Sequence, residues 1–270
     1  CSLVGSEMCI RDSMYTLCGK DRIHPSTDGH LVMAYLFLKA QGLAGKPVAD
    51  IRIDGAGKKV TRSDNCRVSD LSVSSDNLTF TYEAKSLPYP IDTSYYDNEK
   101  HTQADALSVI PFMDEMNYEG LSVSGLSDGY YGLTIGGEFI GRFTARELER
   151  GINMALLQNT PQYKQAMKIR QMNEERWLKE RKMREFYWVE YNLMRKTGML
   201  WACDEAAVDT LRKYRPHDIF LQWNGDLWLQ YMHKGIREDC VNEQQNLVDR
   251  IYEQNKPIPL RIEIKKFTNL

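Results

Sequence analysis

From residue 48 the apolar residues alternate like strands until about residue 144, where they become helical, and that change limits the fold more than any other feature. Before it, "VADIRID", "CRVSDLSVS" and "NLTFTYEAK" alternate apolar and polar residues, as half-buried strands do. "GAGKK" and Ser75-Asp76-Asn77 supply turns. "SLPYPIDTSYYDNEKHTQ" is polar, aromatic and Pro-containing, and is expected to be a long surface loop. A second strand group is expected from about Leu107 to Thr144. Residues 48–145 therefore predict a small β-sandwich-like module. After the change the period is helical. Thr144 and Glu147 form a capping box for a short helix. Thr160 and Pro161 make an N-cap and N1 pair that opens a long helix ending near Gly198. Phe186, Val189 and Leu193 mark its apolar stripe, and helices follow around 204–214, 218–233 and 237–254. The tail "IPLRIEIKKF" alternates like a strand. Strands and helices segregated in this way belong to the α+β class.

Composition narrows the function. With 42% hydrophobic and 27% charged residues, the chain can bury an ordinary globular core. A net charge of −2 gives no basic field for nucleic acid. The charged run "KIRQMNEERWLKERKMRE" mixes both signs and reads as a solvated helix face. No apolar run is long enough to span a membrane, and no basic-then-apolar start marks a signal peptide. None of the six cysteines forms a C-x-x-C pair, which points away from zinc, redox chemistry and a disulfide framework. No metal or cofactor is expected.

The chemistry concentrates in "DRIHPSTDGH". Pro25 pushes His24 out of helical geometry, and Ser26 is placed as N-cap. Asp28 suits the dipole of the helix that follows, whose apolar residues Leu31, Ala34, Tyr35 and Leu38 recur at helical spacing up to Gly42. Asp21 and His24 thus sit on a loop held by a packed helix. A serine hydroxyl needs an imidazole to take its proton, and the imidazole needs a carboxylate to fix its tautomer.

Asp21, His24, Pro25, Gly29 and His30, with the apolar helix behind them, resemble the end of the catalytic domain in SGNH hydrolases, the GDSL-type lipases and acylhydrolases. "GYYGLTIGGEFIGRFTARELERGINMALLQNTPQYKQA" is similar to the strand-rich, then helical, C-terminal region of a bacterial group of these enzymes, with Gly136-Gly137 where the group has Asp-Gly. The resemblance implies an ester hydrolase acting on a small-molecule, carbohydrate or lipid ester. It implies His24 as general base, Asp21 as its orienter and an acyl-enzyme mechanism. His30 is either a locally bonded helix residue or a supporting residue beside the site. The family's Gly-Asp-Ser nucleophile motif, and its Gly and Asn oxyanion donors, have no counterpart in this chain. Gly125-Leu126-Ser127-Asp128-Gly129 satisfies G-x-S-x-G, but it is flanked by alternating residues on both sides, so a strand–turn–strand is expected rather than a nucleophile elbow.

The expected organisation follows. Residues 1–13, "CSLVGSEMCIRDS", resemble a peptide translated from sequencing-adapter DNA and are read as a non-native leader. Residues 14–47 are read as the truncated end of an α/β catalytic domain, 48–145 as the β-rich module and 146–270 as a helical extension. Two further readings stay open. Tyr89, Tyr95, Tyr96, Tyr130 and Tyr131 are either ordinary strand and loop aromatics or a sugar-stacking face, the latter making the module a non-catalytic glycan- or partner-binding unit. Asn153 and Asn159 either cap helix ends or reach towards the active site. Trp223, Trp228 and Tyr231 are read as core.

Overall fold

The computed structural model describes residues 15–18, 22–94 and 101–267. It is a mixed α+β structure that divides into two compact units. The first comprises residues up to Met167 and those from Lys256 onwards; the second is Lys168–Asn255.

In the first unit, helix α1 (Thr27–Ala40) is followed by strands β1 (Ala49–Asp54), β2 (Lys59–Asp64), β3 (Cys66–Val73) and β4 (Asn77–Ala84). A 3-10 turn at Gln103–Ser108 and a one-turn helix α2 (Phe112–Glu115) lead to β5 (Glu119–Ser124), β6 (Tyr130–Ile135) and β7 (Glu138–Thr144). Helix α3 (Ala145–Arg150), the short strand β8 (Ile152–Asn153) and the start of α4 (Pro161–Val189) come next, and β9 (Leu260–Lys266) returns from the end of the chain. The strands form two sheets, ordered β2-β1-β5-β8 and β3-β4-β9-β6-β7. All neighbours are antiparallel except β1 and β5, which run parallel from Ala49↔Glu119 to Asp54↔Ser124. Ile51, Ile53, Leu121 and Val123 of the first sheet share one core with Leu78, Phe80, Leu133, Ile135, Ile262 and Ile264 of the second. This is the expected sandwich-like packing. Each such side chain, fully buried, contributes about 1.5–3 kcal/mol before chain entropy is subtracted.

Two features differ from the sequence reading. The second strand group begins at Glu119, not Leu107. Thr102 and Asp105 close a capping box there, with the Asp105 carboxylate accepting the Thr102 N–H at 2.6 Å, and this local bonding starts the 3-10 turn at Gln103–Ser108 that precedes α2. The tail strand, grouped in sequence with the helical extension, is β9 at the centre of the five-stranded sheet, bonded to β4 on one side and β6 on the other. Its Leu260, Ile262 and Ile264 face the core in period 2.

The start of α4 is fixed inside the first unit. Thr160 Oγ1 accepts the Tyr163 N–H at 3.3 Å, the N-cap bond expected from sequence. The Tyr163 hydroxyl donates to the Ile91 carbonyl at 2.9 Å. Gln162 meets the buried carboxylate of Glu119, which also accepts the Tyr82 hydroxyl at 2.8 Å. Burial pushes the Glu119 carboxyl up to about 7, against these two hydrogen bonds, which pull it down.

The second unit is helical: the rest of α4, a π-bulge at Glu190–Met194, then α5 (Glu205–Tyr214), α6 (Ile219–Tyr231) and α7 (Lys234–Gln254). Gly198, at φ +75°, ends the long helical segment as expected. Phe186, Val189, Leu193, Leu211, Leu221 and Trp228 form its core. Tyr231 is buried with them, whereas Trp223, expected in the core, is exposed. The charged run of α4 forms i,i+4 ion pairs such as Arg181–Glu185 and Arg184–Glu180, consistent with a solvated face. Among the described residues no helix is long and apolar enough to cross a membrane.

Candidate active-site loop

Cys18 and Pro25 pair in an isolated antiparallel bridge, which closes the loop carrying the expected catalytic residues. Asp21 and the leader, residues 1–13, lie outside the described residues. Arg22 takes a left-handed turn at φ +58°, and Ile23 and His24 are exposed. The chain then dives inward. Ser26 is buried and extended, its N–H donating to the Leu17 carbonyl at 3.1 Å and its carbonyl accepting the His30 N–H at 2.9 Å. It occupies the N-cap position, but its hydroxyl donates to the Asp28 carboxylate instead of capping a backbone group.

Asp28 is buried in the first turn of α1, where the helix dipole favours its charge. His101 Nδ1 lies 3.7 Å from its other carboxylate oxygen. Burial, and then the nearby Asp28 charge, pushes the Tyr15 hydroxyl well above the usual tyrosine range. Asp28 is thus a buried carboxyl beside the exposed imidazole loop, a placement the sequence did not reveal. Gly29 follows for a steric reason: a Cβ there would stand 2.0 Å from the Leu17 carbonyl oxygen. Only glycine lets the incoming segment pass so close to the helix.

Helix α1 packs Leu31, Val32 and Tyr35 against Ile91, Ile110, Phe112 and Met113. The buried stripe is rotated from the expected one: Val32 is fully buried, Ala34 is exposed and Leu38 is half-buried. At its far end the Tyr35 hydroxyl donates to Glu115 Oε2 at 2.6 Å, and Lys39 Nζ lies 2.8 Å from the same oxygen. Lys39 and Tyr35 hold the Glu115 carboxyl below the usual carboxylate range. The opposite face of α1 shows Met33 and Phe37 to solvent, Phe37 being 64% exposed. His30 is exposed in the first turns of this helix.

The other candidates separate cleanly. Ser127 sits in a turn between β5 and β6, with Lys266 Nζ donating to its Oγ at 2.7 Å and no strand-to-helix elbow around it. Asn153 caps a 3-10 turn through the Ala155 N–H, whereas Asn159 donates to the Ile140 carbonyl and ties its loop to β7. Tyr131 is buried, and Tyr130 stacks under Arg142 at 4.1 Å, which leaves no continuous tyrosine face among the described residues. Cys18, Cys66, Cys203 and Cys240 are unbridged. Among the described residues no group of three or more His, Cys, Asp or Glu could hold a metal ion.

Comparison with known proteins places this geometry in context. Residues 167–256 match the family model described as the diltiazem deacetylase C-terminal helical domain, about one third of the chain. No curated protein matches. A solved structure described as "BT4096 a gut microbial diltiazem-metabolizing enzyme" is 40% identical and superposes with a TM-score of 0.90. The match covers 98% of this chain and 60% of that one, so the two share this fold throughout while the chain spans well under two thirds of the solved enzyme.

Proposed function

We propose that this chain is the C-terminal part of an ester hydrolase of the SGNH type, in which His24 is the general base and Asp21 its orienter. The observation that carries the reading is the build of the loop. His24 is exposed, yet Pro25 pairs with Cys18, and the Ser26–Asp28 contact and the close pass at Gly29 anchor the chain that follows it. An imidazole held this way can reach a reacting hydroxyl without collapsing into the core. Similarity to a diltiazem-metabolizing enzyme, and to the helical domain of a deacetylase, supports ester cleavage and favours small-molecule acetyl esters as the substrate class.

In this mechanism a serine from upstream sequence attacks the ester carbonyl as His24 takes its proton. The tetrahedral intermediate collapses when His24 returns that proton to the leaving alcohol. Water, deprotonated by His24, then releases the acid. Asp21 holds the imidazole tautomer and stabilises the imidazolium. His30 is assigned a supporting place beside the loop. The 60% coverage and the exposed Met33 and Phe37 face fit a helix that completes a larger α/β domain.

The test is hydrolysis of p-nitrophenyl acetate. A longer protein carrying the upstream sequence is expected to be active, and His24→Ala to lower kcat by at least about 10³-fold. The 270-residue chain alone is expected to be inactive. Activity of this chain abolished by His24→Ala would overturn the upstream-nucleophile reading, and activity of the longer protein indifferent to His24 would overturn the family assignment.

A further inference from the structure

Beside the core ring of Phe186, the helical unit exposes the rings of Tyr187, Tyr191 and Trp201. Phe186, Tyr187, Tyr191 and Trp201 gather on one side, with the Trp201 indole edge-to-face with both Tyr187 and Tyr191 at 6.0 Å. Trp201 adopts φ +66°, a left-handed conformation that costs a bulky residue on the order of 1–3 kcal/mol. The strain is imposed by a buried group. Glu190, in the π-bulge, accepts the Trp201 N–H at 2.9 Å and the Trp228 Nε1–H at 2.8 Å. Strain of this kind is ordinarily offset by burying the side chain, yet the Trp201 ring is 45% exposed. It is fixed, strained and left facing solvent.

The ring borders a cleft of about 560 Å³, within the range of small-molecule sites, lined also by Met183, Tyr187, Arg237, Glu238 and Asn242. The polar groups are planar and hold both donors and acceptors. Lys234 and Glu238 balance each other, while Arg237 keeps its charge and is held by neutral acceptors. Arg237 donates to the Tyr231 and Met232 carbonyls and stacks over Phe186, and Lys234 at the rim pairs with Glu238 at 3.3 Å. A neutral ring with one apolar C–H face and a rim of hydroxyls, each both donor and acceptor, matches the aromatic wall and the mixed polar rim together.

We propose that this cleft is a carbohydrate subsite, taking one or two neutral pyranose rings stacked against Trp201. It lies wholly in the helical unit, and its test reads sugar binding rather than hydrolysis, so failure of the His24 test and failure of this one are distinguishable.

The 270-residue chain is titrated with cellobiose, lactose and N,N′-diacetylchitobiose, followed by tryptophan fluorescence and calorimetry. Saturable binding of at least one disaccharide is expected, weakened about tenfold or more by Trp201→Ala and retained in part by Trp201→Phe. Trp223→Ala, which alters an exposed indole that does not line the cleft, is expected to bind as the parent does. Circular dichroism confirms folding of each variant; should Trp201→Ala unfold, Asn242→Ala at the rim provides the same readout. Failure of every sugar to saturate, equal binding by the cleft variants, or binding confined to an acidic disaccharide such as digalacturonate would overturn the proposal.

Discussion

Each unit of this protein buries one glutamate completely, and the two are satisfied in different ways. Glu119 lies at the start of β5, in the core phase of Leu121 and Val123, and its carboxylate meets only neutral side-chain donors, Tyr82 at 2.8 Å and Gln162 at 3.3 Å. Glu190 lies in a π-bulge and accepts two short bonds, one from an indole N–H and one from a backbone N–H in a strained turn. Glu119 joins a strand to the first turn of a helix. Glu190 fixes a backbone that would not otherwise adopt its geometry. A buried carboxylate therefore serves either to join elements or to enforce a conformation, and the two uses predict different sensitivities.

The larger effect is expected at Glu190. Glu190→Ala removes the acceptor for one buried and one partly buried donor and leaves a cavity, at a cost of about 3–5 kcal/mol. Hydrogen exchange should show the loss of protection concentrated in Lys168–Asn255, with the sheet amides little changed. An even loss across both units would break the comparison, because it would tie the two glutamates to one cooperative structure.

Glu119 is expected to matter through pH. Its folded-state carboxyl, at about 7, stands above the ordinary 4.5. Below pH 4.5 the group is protonated in both states and costs nothing. As the pH rises from 4.5 to 7 the unfolded chain ionises while the folded one holds its proton, so stability falls across that window and levels off above it. The whole shift corresponds to about 3 kcal/mol. Glu119→Gln should be flat over this window and more stable than the parent at pH 8 by up to that amount, as read by urea denaturation. A parent chain whose stability does not fall between pH 4.5 and 7 would show that Glu119 ionises freely.

Much of this architecture was legible in the sequence, and the misses share a cause. Alternation located β1, β3, β4 and β9, and cap chemistry located α3 and α4, because these signals act within a few residues. The pairing of β9 with β4 and β6 was not legible, because period 2 marks a strand but not its neighbours. The 3-10 turn at Gln103–Ser108, which runs into the residues taken as strand, was missed because it rests on a local cap at Thr102. Glu119 had a readable sign, its shared phase with Leu121 and Val123. Asp28 had none, because its burial depends on the close approach of Leu17 that Gly29 permits. Trp201 drew no expectation, since no pattern in the sequence shows a positive φ. The burial of Ser26 and Asp28 beside His24 was not legible either, because it depends on the same approach of Leu17.

The smallest effect is expected at the surface, and it carries the opposite pH sign. Glu147 accepts the Thr144 N–H and hydroxyl, both at 2.7 Å, while Thr144 Oγ1 accepts the Glu147 N–H at 3.1 Å. These Thr144 contacts hold the exposed Glu147 carboxyl below the usual range. A depressed carboxyl favours the folded state above the unfolded pKa and loses that contribution as the pH falls through the folded value. Thr144→Ala removes the helix cap and should cost about 1 kcal/mol near neutral pH. The cost should shrink under acid conditions, where Glu147 is protonated in both proteins. Measured in a Glu119→Gln background, this titration is isolated from the buried one. A Thr144→Ala penalty that grows towards low pH would mean that Glu147 is not the partner that makes the cap work.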